Sequence, residues 1–325
     1  MIFGRYARVA MAAAFALALG GVARARDTKL TIMVFQGMQN LPIFAAQSKG
    51  FLAKRGLAID VKIAPTSEEM RAGLADGRWQ IIHAAVDNGV AMAEVAKVDI
   101  AIISGGDNSF NHFIAQPDIN SFADLRGKTV IVDAPNTAYA FQLYEILKRN
   151  GLNKGDYNVK VVGATFKRLA ELEADKELKA SMLNPPFSLR AIKGGMKDMG
   201  TAAKMLGVYQ ATGVVVLRSW GKANSDTLVK YMQAYIEGVR WSLDPKNKDE
   251  AITLLADGLK LSPDVAAATY AIAVNPAEGL AKDAKFDLEG FKNVLKLRAD
   301  WTGAAPGAPE KYLDLGYYQK ALAGL

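Results

Sequence analysis

The chain has 325 residues, half of them hydrophobic, with no cysteine and only two histidines. The missing cysteines exclude a disulfide framework, and the length is ample for two ordinary domains without one. The formal charge of +7 falls to +4 when Arg5, Arg8 and Arg24 are set aside; with no basic run interleaved with aromatics, nucleic-acid binding finds no support.

The first element is a secretory signal. Arg5 and Arg8 make a positive start, residues 9–19 are an unbroken apolar run, and Ala23-Arg24-Ala25 fits the small-residue cleavage pattern. Eleven apolar residues fall short of the roughly 20 that a spanning helix needs. Cleavage after Ala25 is expected, so 1–25 is read as signal peptide and the mature protein as periplasmic. No cysteine follows to take a lipid anchor.

From 27 to about 215 the pattern alternates strand and helix, which predicts an α/β fold with mostly parallel sheets. The expected strands are 29–35, 58–64, 79–86, 99–104, 112–116, 129–133, 159–163, 180–183 and 211–218. The expected helices are 41–54, 68–77, 88–97, 121–126, 137–150, 166–176 and 187–194. "TAYAFQLYEILKRNG" places Ala140, Leu143, Tyr144 and Leu147 on one helical face and stops at Gly151. "SFADLRG" opens with Ser121 and carries Asp124 three residues on, a capping-box variant. Beyond 220 only helices are expected, one of them opened by Ser262-Pro263.

Four stretches in order carry a family resemblance: "LPIFAAQSKGFLAKRGLAIDVK", "EEMRAGLADGRWQIIHAAVDNGVAMAE", "INSFADLRGKTVIVDAPNTAYAFQLYEILKRNGL" and "LNPPFSLRA". The chain resembles the periplasmic substrate-binding proteins of ABC importers, in the nitrate/sulfonate/taurine-type group that includes binders of thiamine-precursor pyrimidines. It departs from that group's pattern at Gln80, where an acid is usual, and at 175–182. The resemblance implies a type II-like, two-lobed binding protein, with a mostly parallel sheet in each lobe and the all-helical tail packed on lobe one. Lobe one is expected at 27–111 plus 217–325 and lobe two at 112–216, with crossings near 112–116 and 212–216. It also implies a ligand cleft between the lobes that closes by a hinge, a small-molecule ligand, an inner-membrane ABC permease as partner, and a monomer. A sensor in place of the permease is the alternative delivery partner. The pyrimidine synthase that shares the fold needs a cysteine cluster, which this chain lacks.

Strand-to-helix junctions face such a cleft, because free backbone N–H groups at helix N-termini meet ligands there. The stretch "QGMQNLPIF" spends Gln36, Gln39 and Asn40 at the first junction. Thr66-Ser67 marks the second, Asp87 and Asn88 the third, Asn136, Thr137 and Tyr139 the fourth, and Asn184 before two prolines the fifth. Asn108 or Asn111 can join from the loop beside the first crossing. Each also has an ordinary reading, as a helix N-cap or, for Tyr139, as core. Arg71, Lys167 and Arg168 read as helix-surface charges.

No H-E-x-x-H, G-x-S-x-G or glycine-rich phosphate loop is present, and His83 within "IIHAAV" reads as a core strand residue. The sequence therefore predicts a solute receptor, not an enzyme, with no cofactor or metal. Asp87, an acid among amides with no arginine assigned beside it, points to a ligand with a donor group. A small zwitterion, amino-sulfonate or nitrogen heterocycle is expected over a bare inorganic anion.

Overall fold

A computed structural model describes residues 27–305 and 307–325. The signal segment lies outside the described residues. Two five-stranded sheets organise the described residues. The first runs β2-β1-β3-β10-β4 and the second β7-β6-β8-β5-β9. In the first, β1 (Thr28–Val34), β2 (Leu57–Ile63) and β3 (Ile81–Ala85) are parallel, and β10 (Thr212–Leu217) runs antiparallel between β3 and β4 (Ile100–Asp107). In the second, β6 (Thr129–Val132), β7 (Asn158–Val161) and β8 (Leu178–Leu183) are parallel, and β5 (His112–Ala115) runs antiparallel between β8 and β9 (Lys197–Thr201). Four strands of each sheet share a direction and the fifth opposes them. That fifth strand is in each case the one entered from the other sheet.

This membership corrects one boundary. The sequence reading placed 212–216 in the second lobe, but β10 is inserted in the first sheet. The chain passes between sheets at 108–111 and 207–211, both a few residues earlier than expected. β4 also outlasts its expected end, because Gly105 lets another segment come close: a Cβ there would lie 2.2 Å from the Lys285 carbonyl oxygen.

Helices cover the sheets as the periodicity requires. α4 (Ala138–Arg149) buries Ala140, Leu143, Tyr144 and Leu147 and is capped by Thr137. The expected helix at 121–126 is a single 3-10 turn, with Asp124 accepting the N–H groups of Asn120 and Ser121 at 2.8 Å. The helix expected at 41–54 divides into α1 (Leu41–Ser48) and a 3-10 turn at Ala53–Arg55. Between them Gly50 sits at φ 70, which ends the first segment. β9 and α7 (Ala202–Leu206) were not expected. "KDMGT" has few strand-favouring residues and is an edge strand held by β5 alone.

Beyond β10 the described elements are all helices, with Leu280 and Leu313 making single β-bridges to the first sheet. Tyr231, Met232, Tyr235 and Val239 of α9 (Ser225–Leu243) share a core with Leu30, Ile32 and Val34 of β1 and with Ile43 of α1. The tail also reaches the second half of the molecule. Trp301 on α12 (Leu288–Thr302) packs at a tilt against Tyr144 of α4, with ring centroids 5.3 Å apart. Lys193 on α6 (Phe187–Lys193) pairs with Asp264 on α11 (Pro263–Ala273) at 2.6 Å.

Candidate functional site

The two halves meet around a cavity at the C-terminal ends of parallel strands, where open α/β sheets bind ligands. From the first half come Phe35, Gln39, Ser67, His83, Asn88 and Thr212. From the second come Asp133, Thr137, Tyr139, Thr165, Arg168 and Asn184. The halves touch directly around it. The Met38 N–H donates to the Pro185 carbonyl at 3.2 Å, and the Ala164 N–H to the Pro65 carbonyl at 3.3 Å. The space left between them is small, and the arrangement is a closed one.

Six of the residues picked from sequence line this cavity: Gln39, Ser67, Asn88, Thr137, Tyr139 and Asn184. Gln39 donates to the Phe35 carbonyl at 3.1 Å, and its Oε1 is buried without a partner. Ser67 Oγ lies 3.4 Å from Asp133 Oδ2, a contact between the halves. Asn88 Oδ1 accepts from Arg71 at 3.0 Å. Thr137 accepts the Ala140 N–H as an N-cap and donates its hydroxyl to Asp133 Oδ1 at 2.6 Å. Capping a helix and lining the cavity are thus one role here, not rival ones.

The others do not reach it: Thr66 caps α2 (Ser67–Ala75) by accepting the Glu69 N–H at 3.1 Å, Asn111 donates to Gln142 at 2.8 Å behind the wall, and five more lie elsewhere. Gln36 is half-buried outside the lining, and Asn40 folds back on the Phe35 carbonyl at 2.8 Å. Asn108 contacts the Pro276 carbonyl in a groove on the tail side, and Asn136 is exposed beside the groove between α2 and α3 (Val86–Glu94). Asp87 is the instructive departure. Both its oxygens accept from Arg298 Nη1, at 2.9 and 3.0 Å, with both side chains buried. Burial pushes its carboxyl up, and the Arg298 guanidinium pulls it back. The charge that seemed free for a ligand is neutralised by a tail residue 211 positions away.

Two charged groups that the sequence reading left aside take its place. Arg168, expected on a helix surface, is 1% exposed in the first turn of α5 (Thr165–Ala174). Its Nε donates to Ser181 Oγ at 3.1 Å, its Nη2 to Thr165 Oγ1 at 3.1 Å and the Met182 carbonyl at 3.0 Å, and its Nη1 to the Gly163 carbonyl. All four acceptors are neutral. Burial pulls the guanidinium down, and Asp133 is the carboxylate that acts against it. The Tyr139 ring lies 5.7 Å from its centre. Asp133 follows β6 and is held by Thr137 and Ser67.

His83 is a buried strand residue, as expected, yet it also lines the cavity. Its Nε2 lies 2.7 Å from Tyr231 Oη, and burial drives it down to about 3, so the ring is neutral. The site therefore offers one cation, one carboxylate, amides, hydroxyls and the aromatic faces of Phe35 and Tyr139. That set can hold a small polar molecule by hydrogen bonds and charge. Among the described residues no group of histidines and carboxylates is arranged to hold a metal ion.

Two lobes joined by two crossings, with a polar cavity at their strand ends, define the architecture of periplasmic binding proteins. The chain belongs to the NMT1/THI5-like family, whose model matches residues 38–248. A curated relative from Brachyspira hyodysenteriae, named as an ABC transporter periplasmic binding protein, is 22% identical over 231 residues. The match covers 65% of this chain and 64% of that relative, so just under two thirds of the relative's length is spanned. Among solved structures, the periplasmic nitrate-binding protein of Synechocystis PCC 6803 superposes with a TM-score of 0.76 at 14% identity, covering 92% of this chain and 89% of that one. The aliphatic sulphonate-binding protein of Escherichia coli gives 0.70 at 16%, covering 90% and 99%. At these identities the structural likeness speaks for the fold alone.

Proposed function

We propose that this protein is a periplasmic solute receptor that closes on a small polar molecule and delivers it to an inner-membrane ABC permease, without covalent chemistry. The family, the relative's name and the fold support the class. One observation carries the site: Arg168 is buried at the cavity wall with only neutral acceptors in contact, so its charge is left for a ligand's anionic group. Asp133, with no lysine or arginine among the described residues in ion-pair contact, meets a donor group on the same molecule. The ligand class is a zwitterion, an amino-sulfonate or an acid-bearing nitrogen heterocycle.

The moving parts of this proposal are a first lobe of 27–107 with 212–325 and a second of 112–206, hinged at 108–111 and 207–211. Strand membership supports that division. A thermal-shift screen of such solutes tests the reading. A solute at 100 times its Kd stabilises by about 2.7 kcal/mol. X-ray scattering on the responsive solute is expected to show a smaller radius of gyration on binding and the mass of a monomer. A screen in which only cations, or no polar solute, shift the melting point overturns the proposal.

A further inference from the structure

Behind the cavity wall, where both crossings leave the first sheet, lies a carboxylate that ligand binding does not use. Asp107 is the last residue of β4 and is fully buried. It accepts the hydroxyl of Thr212, the first residue of β10, and the backbone N–H of Ser109 at 3.0 Å. Its own carbonyl accepts the Ala211 N–H at 3.2 Å. One residue thus fastens the beginning of the outgoing crossing to the end of the returning one.

The groups facing it are neutral. They are Tyr139 on α4 and Tyr235 on α9, with the neutral His83 ring beyond, its centroid 4.7 Å from that of Tyr235. Leu280, on the segment after α11, bridges to Asp107. The charged neighbours on that segment turn elsewhere: Glu278 bonds Asn275, Asp283 pairs with Arg240, and Lys282 and Lys285 are exposed. Among the described residues no cation acts on Asp107, and burial pushes its carboxyl up to about 7.

A buried carboxylate without a cation is destabilising when ionised and tolerated when protonated. Two of its walls, Thr212 and Tyr139, also line the ligand cavity, and Tyr139 comes from the opposite lobe. Parting the lobes admits water to that side and relieves the charge.

We propose that Asp107 couples lobe closure to proton uptake, so that the closed form of the receptor holds a proton at the hinge that the open form releases. This rests on the reading of the two halves as lobes that open and close, and is independent of which solute binds. The closed state binds the proton more tightly, so lowering the pH through 7 favours closure. Between pH 8 and pH 6 the closed-to-open ratio of the ligand-free protein rises about tenfold.

The test is X-ray scattering of the ligand-free protein at those two pH values. The wild type is expected to contract at pH 6. Asp107→Asn, uncharged throughout, is expected to give the same radius of gyration at both. His112→Asn, at the histidine that contacts Asp198 and lies away from Asp107, is expected to keep the contraction. Thr212→Val takes a donor from the carboxylate and moves the transition to higher pH, which tests the coupling even if Asp107→Asn does not fold. A wild-type curve that is the same at both pH values, or a transition unmoved by the Asp107 or Thr212 substitution, overturns the proposal. Contraction with the screened solute but not with pH sinks only the proton coupling. No contraction under either condition sinks the moving-lobe reading as well.

Discussion

Among the described residues two arginines are buried, under opposite terms. Arg298 lies on α12 of the tail, bonded to both oxygens of Asp87 and 3.5 Å from the Asn136 carbonyl, its guanidinium 5.7 Å from the Phe141 ring. Arg168 lies on α5 at the same distance from the Tyr139 ring, two residues earlier on the same helix α4, but bonds only neutral oxygens. The first charge is spent within the fold. The second is oriented by the fold and left uncompensated in contact, which is the condition for electrostatic recognition of something that arrives later. Buried charge alone does not mark a binding residue; the ligand contact proposed for Arg168 rests on a buried charge at a cavity without a contacting counter-charge.

The sharpest way to break the comparison is at Asp87. Asp87→Ala strands the Arg298 charge and is expected to cost about 3–5 kcal/mol in urea unfolding, as removing one member of a buried pair does. Asp87→Ala with Arg298→Met is expected to recover most of that loss; a double variant as unstable as the single one refutes the pairing. Arg168→Met strands polar acceptors and not a charge, so the expected loss is smaller, about 1–3 kcal/mol. It is also expected to abolish the stabilisation by the screened solute, and retention of that response would make Arg168 a structural residue only. Arg168→Lys keeps the charge without the planar fork and is expected to fold but bind weakly. Thr137→Val removes the α4 cap and a donor to Asp133, at about 1 kcal/mol in thermal melting, with Thr137→Ser restoring it. Smallest is Ser67→Ala, which loses a single long contact between the halves and is expected to stay within about 0.5 kcal/mol. Its melting curve distinguishes a marginal contact from a latch.

The framework was legible where periodicity is strong and local. α4 could be placed from its apolar spacing and its two ends, because 3.6-residue repetition and capping are written in adjacent residues. The binding fold was legible from four ordered stretches, though the position of β10 was not: nothing in "TGVVVL" says which sheet it joins. The partner of Asp87 is invisible to any local pattern, since it lies in a helix of the far tail.

Arg168 and Arg298 were more readable than their charges implied. Thr165, Arg168, Leu169 and Leu172 fall on one helical face and are all buried. Phe291, Val294, Leu295 and Arg298 repeat the same spacing on α12 and are buried too. A cation in phase with an apolar stripe is the sequence signal of a buried arginine. The junction at 162–165 is not among the five named from sequence, and it leads into α5 with Thr165 and Arg168.

The Asp87–Arg298 pair also bears on how the chain reaches its folded state. An acid near the start of the molecule waits for a base 211 residues later, and the first sheet waits for β10 before β3 and β4 can be joined. Contacts so distant along the chain slow the search for the native arrangement. As the chain is synthesised from its amino end, the region of β1 to β4 emerges early but holds an unanswered charge and an open slot between strands. The middle of the protein, 112–206, has its whole sheet in one continuous segment and can assemble first. The half that begins the sequence is therefore expected to complete its sheet last.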